Sequence, residues 1–215
     1  MNTDTYRHKG LRKQLVEEIR AKGIRDEKVL KALEAVPRHF FMDSSFLEFA
    51  YEDKPFPIGS GQTISQPYTV AFQTELLEIK KGDKILEVGT GSGYQTCVLI
   101  ELGARVYTIE RQKNLFLKTR ELLPAFGYKP KNFSFGDGYK GLPVFAPFDK
   151  ILVTAGAPFI PDAMLDQLQI GGMMVIPVGE DIQVMKRLLK TKSGIVEEEH
   201  GSFRFVPLLE KKAND

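Results

Sequence analysis

The sequence predicts an α/β fold, a doubly wound and mostly parallel sheet with helices on both faces. Strand-like and helix-like segments alternate from Lys84 onward, which is the order that parallel strands with crossover helices require. The strand segments are apolar on both faces, as expected of a sheet that helices cover on both sides. A glycine-rich turn, Gly89 to Gly93, directly follows the first of these strands. Antiparallel strands are expected near the C-terminus.

Two amphipathic helices and a loop precede this alternation. The first helix is predicted over residues 11–23, where it ends at a glycine, and the second over residues 26–37, where it ends at a proline. Residues 53–71 are dense in proline and glycine and predict an ordered loop, which ends where a helix begins near Pro67. We therefore expect an N-terminal helical extension, residues 1–60, packed on a core of residues 61–215 as a single structural unit.

The core alternates strands with helices. Helices are predicted over residues 94–103, 112–127 and 161–172. The tail from residue 182 onward predicts a hairpin and a last strand that contains RFVPL, and its acidic run VEEEH predicts a solvated strand end. The predicted core strands are residues 84–88, 104–110, 132–136, 148–155 and 173–179.

The composition excludes several classes of protein. The chain has 215 residues and a net charge of +2, a basic excess too small to indicate nucleic acid or an acidic membrane as a partner. Cys97 is the only cysteine, so no intrachain disulfide can form. No apolar run is long enough to span a bilayer, and the first fifteen residues are polar. We expect a soluble, cytoplasmic protein and, since no feature indicates an obligate partner, a monomer.

The stretch LEVGTGSGYQT, residues 86–96, carries the first functional signal. Its glycines permit a tight turn and let a ligand touch the main chain, and the helix that follows presents free N–H groups. Glu110 ends the next strand, where a carboxylate can accept both hydroxyls of a ribose. Strand, glycines, helix and acid occur in the order of a nucleotide-binding βαβ unit. The alternative is a glycine turn that only permits close packing.

The glycine spacing distinguishes two classes of nucleotide. It is G-x-G-x-G, whereas dinucleotide enzymes favour G-x-G-x-x-G, and Glu87 lies two residues before the first glycine. A carboxylate there would repel a pyrophosphate but would suit a ligand with an ammonium and a sulfonium group, such as S-adenosylmethionine. Asp137, at the end of a later strand, can accept a hydrogen bond from an adenine amino group. These features disfavour a nicotinamide-dependent oxidoreductase.

The pattern E-x-G-x-G-x-G resembles the first motif of the Rossmann-like class I S-adenosylmethionine-dependent methyltransferases. Within that class, the chain resembles the protein-L-isoaspartate (D-aspartate) O-methyltransferase family over nearly its whole length. The segment TISQP, residues 63–67, is close to specific for that family, whereas VTAGAP has Gly156 where members often have alanine. Residues 61–215 would then be the cofactor-binding methyltransferase domain. The other matching segments are VLKALEAVPRHFF, GSGQTISQPYTVA, LEVGTGSGYQT, GDG, APFDKILVTAGAP, GGMMVIPVG and RFVPL.

This resemblance implies methyl transfer from S-adenosylmethionine to the free α-carboxylate of L-isoaspartyl residues in damaged proteins and peptides. The ester re-closes to a succinimide, whose hydrolysis returns part of it to aspartate, so the enzyme would act in protein repair. The coproduct would be S-adenosyl-L-homocysteine. The resemblance gives Ser65 the catalytic position, with Ile64, Gln66 and Val206 as walls of the peptide groove. The residues expected to bind the cofactor are Glu87, Gly89, Thr90, Gly91, Gly93, Glu110, Arg111, Asp137 and Gly138.

Other functions stay open at this point. A class I methyltransferase that acts on a small-molecule carboxylate or hydroxyl would share the cofactor motif. Methylation of nucleic-acid bases is disfavoured because the chain lacks the Asn/Asp-Pro-Pro-Tyr motif. An inactive binding module would be expected to lack Ser65 or Asp137, and both are present. His8, His39 and His200 lie outside the glycine and TISQP motifs, and we expect no metal site.

Overall fold

The computed structural model describes residues 3–213 and places two helices at the N-terminus, as predicted. The first begins earlier than residue 11 because Thr5 caps it, its hydroxyl accepting the His8 N–H at 3.3 Å. The second begins behind Asp26, whose side chain likewise accepts a main-chain N–H of the first turn. These helices are α1 (Tyr6–Ala21) and α2 (Glu27–Ala35), and two short 3₁₀ helices, Arg38–Phe41 and Ser44–Phe49, follow them.

The segment predicted as a loop contains a hairpin. β1 (Phe56–Gly59) and β2 (Gln62–Ile64) pair antiparallel, and Gly59 and Gly61 adopt φ angles of 95° and 65° around the turn. The sequence prediction missed this hairpin because its prolines and glycines hide the strand pattern. α3 (Pro67–Leu76) begins at the predicted proline, whose missing N–H costs nothing in a first turn.

A seven-stranded sheet confirms the predicted fold class. Its strands are β3 (Lys84–Val88), β4 (Arg105–Glu110), β5 (Asn132–Phe135), β6 (Phe148–Val153), β7 (Leu168–Val178), β8 (Gln183–Thr191) and β9 (Gly194–Phe203). The strand order is β5-β4-β3-β6-β7-β8-β9, with the first five strands of that order parallel and the last two pairings antiparallel. The chain leaves β3 towards β4 and β5 and then returns to the other side of β3. The carboxyl ends of β3 and β6 therefore flank the topological switch point of the sheet.

The helix predicted over residues 161–172 is wrong beyond Asp166. The Gln167 side-chain amide donates to the Ala163 carbonyl at 2.8 Å and to a neighbouring loop, and β7 begins at the next residue. Strand pairing overrides the helical pattern here, since Leu168 pairs with Phe148 of β6. The helices of this part of the fold are α4 (Tyr94–Glu101), α5 (Lys113–Ala125) and α6 (Asp162–Asp166).

The prediction of RFVPL as a last strand is also wrong. β8 and β9 form the predicted hairpin, but residues 204–208 then leave the sheet and run beside the segment that follows β6. The Gly156 N–H donates to the Val206 carbonyl at 2.8 Å, and the Leu208 N–H donates to the Gly156 carbonyl at 2.7 Å. The acidic run lies inside β9, where its three glutamates are exposed, and not at the strand end.

Apolar side chains cover both faces of the sheet. One cluster joins α1, α2, α3 and α4, and it includes Cys97, which is fully buried and whose thiol pKa is raised by that burial. On one face of the sheet Leu152 packs with Leu99, and on the other face Leu86 and Ile151 pack with Met164. Within residues 3–213 no helix combines the length and the apolar character needed to cross a membrane. The proposed division at residue 60 falls between β1 and β2 and stays a prediction.

Candidate functional site

A cavity opens at the carboxyl ends of β3, β4 and β6, where the sheet has its switch point. We call it the switch-point cavity. The glycine turn after β3, the residues at the end of β4, the residues after β6 and the segment from Val206 to Leu209 line it. Of the residues predicted to bind cofactor or substrate, those that line it are Ile64, Ser65, Gly89, Thr90, Gly91, Glu110, Arg111, Gly138 and Val206. The tertiary structure thus brings together residues that are far apart in the chain.

Glycine suits this turn because side chains of neighbouring elements lie close to its backbone at both ends. Gly89 has a φ of 94°, and a Cβ there would lie 2.5 Å from the Thr154 hydroxyl, which donates to the Gly89 carbonyl at 2.6 Å. Gly93, with a φ of 86°, precedes α4, and a Cβ there would lie 2.7 Å from atoms of Thr119 and Leu123. Gly93 does not line the cavity, so its hydrogen side chain serves the packing of α5 against the turn.

Glu110 holds the glycine turn against the end of β4. Its carboxylate accepts the Gly91 N–H and the Gln112 N–H, each at 2.8 Å, and the side chain is 5% exposed. Burial raises the pKa of Glu110, while the two main-chain donors lower it. Each carboxylate oxygen retains a further lone pair, so the group can accept from a ligand hydroxyl as well.

Asp137 and Arg111 are both engaged with the C-terminal segment. The Asp137 carboxylate accepts the Tyr139 N–H at 3.0 Å and the Lys211 N–H at 3.1 Å. The Arg111 guanidinium donates to the Lys211 carbonyl at 2.9 Å and to the Glu210 carbonyl at 3.3 Å. Asp137 lies beside the switch-point cavity without lining it, and its expected contact with adenine stays a prediction.

Glu87 lies away from the cavity, in the interior. It is fully buried, and one carboxylate oxygen accepts the Thr96 hydroxyl of α4 at 2.5 Å, while the other has no partner within residues 3–213. Burial raises the pKa of Glu87 to about 7. Thr90 lines the cavity, with its hydroxyl 2.6 Å from that of Thr108. A direct contact between Glu87 and a cofactor therefore stays a prediction, whereas its contact with α4 is seen.

A second depression, the aromatic groove, adjoins the switch-point cavity. Tyr68, Phe203 and Phe205 line it together with Gln66 and Arg204. Four residues line both the groove and the cavity: Thr63, Ser65, Thr154 and Val206. The two depressions therefore meet at a common wall, as a site for two reactants requires.

Ser65 presents its side chain at this wall. The Arg38 guanidinium donates to the Ser65 carbonyl at 2.8 Å, and within residues 3–213 no protein group hydrogen-bonds the Ser65 hydroxyl. Ile64 is 2% exposed, and the Gln66 side-chain amide donates to Asp53 at 3.0 Å. The neighbours of Ser65 are thus anchored, and its hydroxyl is available to a ligand.

Within residues 3–213, the lining of the two depressions contains one carboxylate, Glu110, which accepts two main-chain N–H groups. Among residues 3–213, the lining includes no histidine and no cysteine. Potential metal-ligand atoms of Asp4, His8 and His39 lie within 4.8 Å of one another in the N-terminal helical region, outside both depressions. Arg12 occupies both carboxylate oxygens of Asp4 at 3.0 Å, so we assign this cluster to helix packing.

Sequence reasoning missed Thr154, Leu208 and Leu209 as residues of the site. Thr154 follows β6 directly, so the general position of ligands at the carboxyl ends of parallel strands could have identified it. No local pattern marks the two leucines, which line the cavity only because residues after β9 turn back across the sheet.

Comparison with known proteins decides the family. The sequence profile of the protein-L-isoaspartate(D-aspartate) O-methyltransferase (PCMT) family matches residues 10–213. The chain belongs to this family. It is 63% identical over 210 residues to the protein-L-isoaspartate O-methyltransferase of Christiangramia forsetii, covering 97% of this chain and 99% of that protein. The Flavobacterium johnsoniae protein of the same name is 62% identical, with the same coverage.

Solved structures agree with this membership. A protein-L-isoaspartate O-methyltransferase superposes with a TM-score of 0.84 and 27% identity, covering 94% of this chain and 67% of the other. A structure described as a PCMT from Plasmodium falciparum in complex with S-adenosyl-L-homocysteine superposes with a TM-score of 0.79 and 28% identity, covering 92% of this chain and 98% of that one. The fold and the sequence thus identify the same family.

Proposed function

We propose that the protein transfers a methyl group from S-adenosylmethionine to the free α-carboxylate of L-isoaspartyl residues in damaged proteins and peptides, as the first step of their repair. Membership of the PCMT family supports the reaction. The observation that carries the assignment in this structure is the wall shared by the switch-point cavity and the aromatic groove. A cofactor in the first and a peptide in the second would meet at Ser65.

The chemistry of the switch-point cavity fits S-adenosylmethionine. The glycine turn offers main-chain groups, Glu110 offers a carboxylate at the end of β4, and Ile109 and Leu208 offer apolar walls for a purine. Arg111 is the only cationic side chain in the lining among residues 3–213, and its guanidinium is bound to the C-terminal segment. The described part of the chain therefore offers the cavity no free cation for a pyrophosphate, which favours an adenosine ligand without phosphate.

The reaction needs no acid or base. When bound, S-adenosylmethionine supplies an electrophilic methyl group on a sulfonium centre. A carboxylate is ionised at neutral pH, so one of its oxygens can form the new bond to the methyl carbon while the carbon–sulfur bond breaks. The electron pair of that bond goes to sulfur, the products are a methyl ester and S-adenosyl-L-homocysteine, and no proton moves. This agrees with a lining that lacks histidine among residues 3–213.

The role left to the protein is to hold the acceptor in line and to exclude water. Ser65 lies where the two depressions meet, and its free hydroxyl can donate to one oxygen of the acceptor carboxylate. Attack of an anion on a cation disperses both charges, so water favours the separated reactants over the transition state. Holding the reacting atoms at contact distance then supplies most of the acceleration.

The groove also offers a basis for substrate choice. In an isoaspartyl residue the free carboxylate is attached directly to the α-carbon, whereas in aspartate it lies one methylene further from the main chain. A groove that fixes the peptide main chain between the TISQP segment and Val206 would align only the first of these carboxylates. An open groove beside the cavity supports a peptide substrate over a small-molecule acid or alcohol. We include in the proposal a cytoplasmic location and a monomeric state, the second of which size-exclusion chromatography tests.

The direct test uses a methyl-labelled cofactor and two peptides that differ only in the linkage at one residue. The isoaspartyl peptide should be labelled, and the aspartyl peptide should stay essentially unlabelled. The label should leave as methanol under mild alkali, because the adjacent amide nitrogen attacks the ester carbonyl and expels methoxide, which leaves a succinimide. Equal labelling of the two peptides, or a label stable to base, would contradict the proposal.

A further inference from the structure

The segment Leu208–Ala213, which we call the C-terminal strap, lies across the ends of two strands. The Ala213 N–H donates to the Arg111 carbonyl at 3.0 Å, and the Lys113 N–H donates to the Ala213 carbonyl at 3.1 Å. Gln112 and Ala213 form a parallel bridge. These bonds attach the far end of the strap to the residues that follow β4.

Arg111 is hydrogen-bonded to the middle of the strap. Its Nε donates to the Lys211 carbonyl at 2.9 Å, and its Nη2 donates to the Glu210 carbonyl at 3.3 Å. Lys211 has a φ of 62°, a left-handed conformation that costs a non-glycine residue energy. Contacts on both sides of Lys211 hold this turn, because its carbonyl faces Arg111 and its N–H faces Asp137.

The strap also reaches the end of β5. The Lys211 N–H donates to the Asp137 carboxylate at 3.1 Å, and the Tyr139 hydroxyl donates to the Leu208 carbonyl at 3.2 Å. Leu208, 8% exposed, and Leu209 line the switch-point cavity. One short segment therefore supplies two walls of the cavity and is hydrogen-bonded to Arg111 and Asp137, two residues that the sequence predicted as cofactor ligands.

We propose that the C-terminal strap retains the cofactor in the switch-point cavity, and that Arg111, at the edge of that cavity, is a positioning residue that acts through its hydrogen bonds to the strap. This inference rests on the proposed function. With the guanidinium bound to two strap carbonyls, Leu208 and Leu209 stay against the cavity and Asp137 keeps its orientation. Opening of the strap exposes that edge of the cavity, so cofactor exchange requires the Arg111 bonds to break.

The alternative is a strap that only stabilises the fold. A structural strap would lower the melting temperature when it is weakened and leave cofactor exchange unchanged. If the strap retains the cofactor, its loss should speed release of the cofactor more than it slows binding. The KM for the peptide, measured at saturating cofactor, should then stay unchanged because the aromatic groove contains no strap residue among residues 3–213.

Four proteins test the proposal: Arg111→Ala, Arg111→Lys, a chain that ends at Leu209, and Arg7→Ala as a matched control on the exposed face of α1. Calorimetry gives the Kd for S-adenosylmethionine and S-adenosyl-L-homocysteine, and rapid filtration with labelled cofactor gives the release rate. We expect Arg111→Ala and the shortened chain to raise Kd and the release rate about tenfold, as for loss of charge-assisted hydrogen bonds. Arg111→Lys, which keeps the charge but lacks the planar fork of the guanidinium, should recover part of the affinity, and Arg7→Ala should match the wild type.

A second measurement covers the case in which the shortened chain fails to fold. Hydrogen exchange on the wild-type protein follows the amides of Lys113, Lys211 and Ala213, and added cofactor should slow all three. In Arg111→Ala the cofactor should protect them less. Unchanged Kd and release rate in Arg111→Ala, or no protection of these amides by cofactor, would overturn the proposal. Failure of the wild type to bind either cofactor would instead refute the proposed function, so the two outcomes can be told apart.

Discussion

Arg38 fixes the main chain of Ser65 from inside the protein. Its Nη1 donates to the Ser65 carbonyl at 2.8 Å, and its Nη2 donates to the Lys54 carbonyl at 3.0 Å. The guanidinium is fully buried over the ring of Tyr94, at 5.2 Å from the centroid, and burial lowers the pKa of Arg38 to about 10, which leaves it charged at neutral pH. A buried cation thus ties the TISQP segment to Lys54, just before β1, and helps to define where the Ser65 hydroxyl lies.

Replacing Ser65 by alanine should impair turnover more than cofactor binding. The main-chain anchor to Arg38 is retained, but the hydroxyl that would orient the acceptor carboxylate is lost. A misplaced acceptor can cost about 10²-fold in rate. Steady-state kinetics with an isoaspartyl peptide and calorimetry with S-adenosylmethionine measure the two effects. Ser193→Ala, in the exposed turn between β8 and β9, is the control. Full activity of Ser65→Ala would exclude a role of the hydroxyl.

Replacing Glu110 by alanine should weaken cofactor binding. The change removes the acceptor expected for the ribose hydroxyls, and it also frees the Gly91 N–H that the carboxylate holds at 2.8 Å. Loss of hydrogen bonds to a charged group costs about 1.5–3 kcal/mol, or roughly tenfold or more in Kd. Calorimetry checks this against Glu121→Ala, an exposed glutamate on α5. An unchanged Kd would show that Glu110 does not contribute to cofactor binding.

Two glycines allow backbone strain to be separated from crowding in the glycine turn. Gly89 and Gly127 both have positive φ angles, 94° and 85°, but only at Gly89 would a Cβ meet another atom closely, the Thr154 hydroxyl at 2.5 Å. Alanine at either position should cost about 1 kcal/mol of stability through the backbone, and at Gly89 about 1–3 kcal/mol more through overpacking. Denaturant unfolding measures both variants.

The Gly89 prediction has an internal control. The clash involves the Thr154 oxygen, so Gly89→Ala introduced into Thr154→Ala should cost only the backbone part relative to Thr154→Ala alone, a comparison that cancels the loss of the hydrogen bonds of Thr154. If Gly89→Ala is no more destabilising than Gly127→Ala, the backbone of the turn is not held against Thr154 in solution.

His39 should make the protein less stable in acid. It is 1% exposed, and burial, followed by the charge of His8, lowers its pKa to about 4. In the unfolded chain its pKa is about 6.5. The folded state therefore binds fewer protons between these values, and the stability contribution present above pH 6.5 is lost as the pH falls towards 4. Between about pH 7 and pH 5 this loss amounts to about 2 kcal/mol.

The measurement compares the wild type with His39→Gln by denaturant unfolding at about pH 7 and pH 5. Glu87, whose pKa burial raises to about 7, acts in the opposite direction because the folded state prefers it protonated. This contribution is common to both proteins, so the difference between their pH dependences reports His39. The variant should lose about 2 kcal/mol less than the wild type. His200→Gln, on β9, should behave as the wild type, and an equal loss in all three proteins would contradict the prediction.

The sequence alone determined the sheet, the glycine turn and the family. The alternation of apolar strands and helices is a local pattern. The same holds for the nucleotide-binding unit, whose strand, glycines, helix and Glu110 follow one another directly in the sequence. The segment TISQP and the motifs around it are sufficient to identify the family. These features could be predicted because each depends on residues that are close in the sequence, or on motifs that the chain shares with the family over nearly its whole length.

Only the tertiary structure decided which residues meet. The hairpin of β1 and β2 and the early start of β7 at Leu168 arise from pairing with partners across a turn or a sheet, which outweighs local propensity. Ser65 lies in the wall of the switch-point cavity, where buried Arg38 anchors its main chain, and Arg111 faces the C-terminal strap because the chain returns across the sheet after β9. Such contacts join distant positions, and their energies come from burial and hydrogen bonds that exist only once the chain has folded.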